Sequence, residues 1–136
     1  MKKEFSGRKV IIMGLGLNGG GVKAAKFFAE RGASLLITDI KNRKDLEKSI
    51  KELKNFKNIE YSLGGHRKED FKEADLLIKN PAVPWESGYI ALAKKNKIPV
   101  KTDIEIFFNL CDARIVGVTG TKGKTSTANF IWGVLN

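Results

Sequence analysis

The sequence predicts an α/β fold: a Rossmann-like, mostly parallel open sheet flanked by helices, followed by the first strand, glycine-rich loop and helix of a second unit. Three observations predict it. Short apolar runs at residues 9–13, 34–38 and 75–79 have the composition of buried strands. Helix-like segments separate them, which is the pattern of a parallel sheet. Glycine-rich turns at residues 14–20 and 120–127 each stand between a strand-like and a helix-like segment.

Composition sets the outer bounds. A chain of 136 residues with 42% hydrophobic residues suffices for one modest core. No apolar run is long enough to span a bilayer, and no signal-peptide pattern precedes the first strand, so a cytoplasmic protein without a membrane partner is expected. The single cysteine, Cys111, excludes an internal disulfide framework and suits a reducing compartment. Lys and Arg outnumber Asp and Glu by 25 to 15, a net charge of +10 that favours an anionic partner. The lysines are spread through helices and turns, without interleaved aromatics. A nucleotide therefore ranks above nucleic acid, and no nucleic-acid partner is expected.

The chain then reads in order. Strand one is expected over residues 9–13 and a helix over 20–31, with Val22, Ala25, Phe28 and Ala29 on its inner face and Gly32 as its stop. Between them, Gly14, Gly16 and Gly19 have G-x-G-x-x-G spacing. Gly14 turns the chain sharply, Gly16 lets backbone approach a phosphate, and Gly19 is expected to let the helix pack on the strand. The helix N-terminus then faces the anion. Strand two, residues 34–38, ends at Asp39, twenty residues after Gly19. An acid there either accepts ribose hydroxyls or caps a helix.

Residues 43–56 read as a charged surface helix with Leu46, Ile50 and Leu53 inward. Strand three is expected over residues 59–63. Gly64 and Gly65 turn the chain, and His66, the sole histidine, has no second ligand at metal spacing. Residues 75–79 form strand four, broken by Asn80, Pro81, Ala82, Val83 and Pro84. Ligands in open α/β sheets sit at such carboxyl ends, although loop rigidity alone would explain the prolines. A helix over residues 87–96 and a strand over 98–101 follow. Thr102 and Glu105 form a capping box for a helix starting at Asp103, and Ile104, Phe107, Phe108 and Cys111 recur along it as core or inter-domain packing.

A new unit is expected from residue 113, leaving residues 1–112 as the first domain. Residues 114–119 read as a buried strand running into Gly120, Thr121, Lys122, Gly123, Lys124, Thr125, Ser126 and Thr127, then a helix over 128–135. This is a phosphate loop. Its backbone N–H groups cradle phosphate oxygens, Lys124 supplies charge, and Thr125 or Ser126 offers an oxygen to Mg²⁺. Val118 stands at the first glycine position of the general motif, with Gly117 and Gly120 flanking it. A glycine-rich turn without a ligand is the alternative.

The stretch TGTKGKTST resembles the ATP-binding loop of the Mur ligases, which lack that first glycine. GLGLNGGG, GGHRKEDFKEADLLIKNPAVP and TDIEIF resemble, in order, the front motifs of that family's D-glutamate-adding branch. The resemblance covers essentially the whole chain. It implies that residues 1–112 form a UDP-substrate-binding domain and that residues 113–136 begin the central ATP-binding domain. It implies that Gly16, Leu17 and Asn18 approach the diphosphate, with Gly14 and Gly19 in the same UDP-binding loop, that Asp39, Ile40 and Lys41 lie near the uracil, and that Asn80, Pro81 and Ala82 lie near the nucleotide. In ATP binding it implicates Gly120 through Ser126, with Lys124 as the catalytic cation and Thr125 and Ser126 at Mg²⁺. Asn18, Lys41 and Ala82 depart from the family's usual Thr, Arg and Gly. The implied reaction joins D-glutamate to UDP-N-acetylmuramoyl-L-alanine in peptidoglycan synthesis, through an acyl phosphate made with ATP. Further strands and an amino-acid-binding domain belong to that pattern. The chain is therefore expected to be an N-terminal part that binds UDP-substrate weakly, does not catalyse, and self-associates through an unpaired strand edge. A stand-alone NAD(P)-binding or regulatory nucleotide module is the alternative.

Overall fold

A computed structural model describes residues 4–135. It contains strands β1 (Lys9–Met13), β2 (Ser34–Asp39), β3 (Ile59–Leu63), β4 (Leu76–Lys79) and β5 (Val100–Lys101). Its α-helices are α1 (Gly20–Glu30), α2 (Glu47–Lys51), α3 (Gly88–Lys95), α4 (Asp103–Leu110) and α5 (Lys124–Leu135), with a 3₁₀ turn at Lys68–Phe71. The strands form one five-stranded sheet in the order β3-β2-β1-β4-β5. Every pairing is parallel, with Val10 opposite Leu35 on one side and Leu76 on the other.

Alternation along β1 divides the core. Val10 and Ile12 face a cluster with Val22, Ala25 and Phe28 of α1 and with Leu46 and Leu53 around α2. Ile11 and Met13 face the opposite cluster, with Phe71, Leu77 and Ile90 of α3. Both faces are thus covered, which is why the strands read as continuous apolar runs. The inward positions expected on α1, Val22, Ala25, Phe28 and Ala29, are all buried.

Three expectations need correction. The helix expected over residues 43–56 is α-helical only at Glu47–Lys51. An Asn42 side-chain turn precedes it, accepting from Asp45 N at 3.0 Å, and tighter bonds such as Leu53 N to Ile50 O follow it. Leu46 and Leu53 stay fully buried because these turns keep them on one face. On α4 the capping box forms, with Glu105 N donating to Thr102 Oγ1 and Thr102 N donating to Glu105 Oε2. Yet the buried residue of α4 is Ile106, while Ile104, Phe107 and Phe108 are exposed. Helical spacing marked a stripe, but the residue of α4 that enters the core is off it, while Phe107 and Cys111 line a groove beside Ala24 and Phe27 of α1. Finally, residues 114–119 join no strand ladder and are largely exposed. They find no neighbour in the described sheet, which ends at β5. The strand edge invoked for self-association is therefore absent.

Candidate functional site

The sheet order reverses between β1 and β4, and the loops leaving their C-terminal ends face each other across that point. This is where open α/β sheets hold ligands. The β1–α1 loop forms one wall. Gly14, Gly16 and Gly19 have φ of 90°, 65° and 80°, in the left-handed region that favours glycine. A Cβ on Gly14 would also stand 2.9 Å from Asn80 Cβ. The close packing assigned to Gly19 belongs instead to Gly21, where a Cβ would lie 2.4 Å from Leu15 O; nothing lies within 4 Å of one on Gly19. The helix begins at Gly20, so its first inward position is Gly21.

The loop is held from outside. Asp39 Oδ2 accepts Gly16 N at 3.0 Å, and Asp39 Oδ1 accepts Lys41 N at 2.9 Å. Ser49 Oγ donates to Gly16 O at 2.9 Å. Gly14 N donates to Thr38 O at 2.8 Å. Asp39 therefore caps no helix, and each of its carboxylate oxygens already accepts one backbone N–H. It is a buried anchor for the glycine loop, and its charge strengthens both bonds. Leu17, Asn18, Ile40 and Lys41 project into solvent around it. The N-terminus of α1 carries no side-chain cap and no acidic residue in its first turn, leaving its N–H groups available to an anion.

The β4–α3 loop forms the other wall. Asn80 Nδ2 donates to Gly14 O at 3.1 Å, while its Oδ1 accepts Ala82 N at 3.0 Å. Val83 N returns to Asn80 O at 2.9 Å. Asn80 thus clamps the two loops together, with Pro81 and Ala82 exposed beside it. Lys79, just before it, is buried, and its ammonium donates to Asn80 O at 3.1 Å.

His66 stands behind β2. Its Nδ1 lies 2.7 Å from Thr38 Oγ1, and its ring packs edge-on to Tyr89 at 5.0 Å. Burial holds its pKa below the ordinary value, against the opposing pull of Asp39 and Asp70. No group of three or more His, Cys, Asp or Glu among the described residues is placed to hold a metal ion.

The second glycine-rich stretch lies apart from this crevice. Gly120 and Gly123 have φ of 148° and 79°, and Lys124 Nζ donates to Gly120 O at 2.6 Å across the turn. Lys124 opens α5, none of whose residues is buried, and Thr121, Lys122, Thr125 and Ser126 are exposed. The structure brings together Gly14–Gly19, Asp39 and Asn80, and leaves residues 120–126 outside that group. Sequence reasoning missed Ser49, Lys79 and Gly21. A lysine ending a four-residue buried strand was the legible signal; a serine in a charged surface helix offered none.

Residues 8–102 match the family described as Mur ligase MurD-like, N-terminal domain. That is most of the chain. The chain belongs to the MurD-like N-terminal domain family of the Mur ligases. It is 39% identical over 132 residues to the UDP-N-acetylmuramoylalanine–D-glutamate ligase of Roseiflexus sp., covering 97% of this chain and 28% of that protein. It is 44% identical over 126 residues to the ligase of the same name from Treponema pallidum, covering 92% of this chain and 24% of that one. A solved pseudomurein peptide ligase type C from Methanothermus fervidus is similar at 26% identity and a TM-score of 0.56, over 94% of this chain and 26% of that one. The chain thus spans only about a quarter of the length of the proteins it matches. Within the MurD-like domain, the matched region contains both walls of the crevice and ends before the second glycine-rich loop. No helix of the described residues is long and apolar enough to cross a membrane.

Proposed function

We propose that this chain is the UDP-substrate-binding part of a cytoplasmic, ATP-dependent ligase that adds D-glutamate to UDP-N-acetylmuramoyl-L-alanine in peptidoglycan synthesis. The observation that carries this reading is the uncapped N-terminus of α1 behind a glycine loop anchored by Asp39 and Asn80, in a domain of MurD-like sequence. In it, the backbone from Gly16 to Gly19 receives the diphosphate. Asp39 orients that loop through Gly16 and the following turn through Lys41. Ile40 and Lys41 flank the base, and Pro81 and Ala82 line the opposite wall.

The residues at 120–126 fit a nucleotide triphosphate: two left-handed glycines leave the turn open, and Lys124 lies across it at the start of a helix. Bound there, ATP would supply the phosphoryl group that activates the substrate carboxylate. Thr125 or Ser126 would offer a hydroxyl oxygen to Mg²⁺, with phosphates and water completing its shell. Lys124 would offset charge at the terminal phosphate.

Calorimetric titration with UDP-N-acetylmuramoyl-L-alanine, and in parallel with NAD, tests the substrate reading. Binding of the UDP ligand, weakened in Asp39→Ala, supports it. Binding of NAD alone overturns it in favour of a dinucleotide module.

A further inference from the structure

Lys79 is 3% exposed, yet no carboxylate among the described residues pairs with it. Its ammonium has one hydrogen-bond acceptor, Asn80 O at 3.1 Å, and one aromatic neighbour, the Trp85 ring at 4.9 Å. A buried charge is costly unless an opposite charge offsets it. A neutral donor would also satisfy Asn80 O, and the Trp85 face offsets an ammonium only in part, so neither neighbour supplies a full counter-charge.

The position supplies an explanation. Lys79 is the last residue of β4 and pairs in register with Met13, immediately before Gly14. It therefore sits at the point where the sheet order reverses. Alternation puts its side chain with Leu77, on the α3 side, while the N-terminus of α1 approaches from the opposite side. The crevice thus has a positive source on each flank: a helix dipole and a buried ammonium. Lys94 of α3 adds a second ammonium over the same Trp85 ring, at 5.3 Å.

We infer that Lys79 is a specificity-determining residue that makes the crevice favour nucleoside phosphates over uncharged nucleosides, its charge being offset by the ligand's diphosphate. This rests on the UDP-substrate reading above. The low-dielectric wall makes such a charge act at a distance, without direct contact.

The test compares uridine, UMP and UDP binding by calorimetry at constant ionic strength. The wild-type chain is expected to bind more tightly with each added phosphate. In Lys79→Met the UDP-to-uridine affinity ratio should fall about tenfold, and in Lys79→Arg it should be retained. Lys79→Gln, which keeps a neutral donor for Asn80 O, should behave like Lys79→Met and serves if the methionine variant fails to fold. Equal loss for all three ligands in the neutral variants would reduce Lys79 to a support for the Asn80 loop and overturn the inference. An unchanged ratio would overturn it as well. A wild-type chain that binds none of the three would overturn the UDP reading itself, and this inference with it.

Discussion

Asp39 and Gly16 are joined by a 3.0 Å hydrogen bond that spans 23 residues of sequence, from the carboxylate ending β2 to the backbone of the β1–α1 loop. The same carboxylate takes Lys41 N, so one buried anion sets both the glycine loop and the turn after β2. Asp39→Ala should therefore destabilise the fold by roughly 2–4 kcal/mol, because two backbone donors lose a charged acceptor. Urea denaturation measures this, and a loss under 1 kcal/mol would show that water replaces the carboxylate freely.

Ser49→Ala removes the donor to Gly16 O and leaves Asp39 in place. We expect a smaller loss, about 0.5–1.5 kcal/mol, with the fold intact. Amide hydrogen exchange should accelerate at residues 15–19 and not in β3. Uniform acceleration would contradict a local anchoring role.

The two glycines at the start of α1 should separate sharply on substitution. Gly21→Ala forces a Cβ against Leu15 O and Gly14 O and should prevent stable folding or displace α1. Gly19→Ala meets nothing and costs only the left-handed backbone, roughly 1–2 kcal/mol. Thermal denaturation of both variants checks the order, and a more severe Gly19→Ala would reverse the assignment.

The imidazole of His66 titrates below its ordinary value of 6.5 because it is part-buried. The unfolded chain thus takes up the proton first. Its contribution to stability is complete above pH 6.5 and is lost as pH falls from there toward the lowered folded value. A His66→Gln variant should show a flatter stability profile over that interval in denaturant titrations at stepped pH. Parallel profiles would remove His66 as the cause.

Thr102 and Glu105 satisfy each other's backbone at the start of α4. Thr102→Ala should cost about 0.5–2 kcal/mol of helix stability, seen as faster exchange in residues 105–110. The Thr102 bonds hold the Glu105 carboxyl below its ordinary value of 4.5, so the box is present above that pH and fails as pH falls through the lowered value.

By itself the sequence determined the elements and their kind. Apolar runs of strand length, glycine turns and a capping box are local signals, and β1, β3 and the box at Thr102 fall where they point. It also placed Gly14–Gly19 and Asn80 at the carboxyl ends of parallel strands, where the two loops do meet each other. Tertiary structure decided what those residues hold. Asp39 became an anchor because β1 and β2 are neighbours in parallel register, which places its carboxylate beside Gly16. Ser49 joined the loop because the turns around α2 bury one face of a charged segment. Residues 114–119 have the composition of a strand, but a strand exists only where another offers its hydrogen bonds, and the described sheet offers none there. Pairing partners and buried charge are properties of the assembled sheet. No local run of residues encodes them.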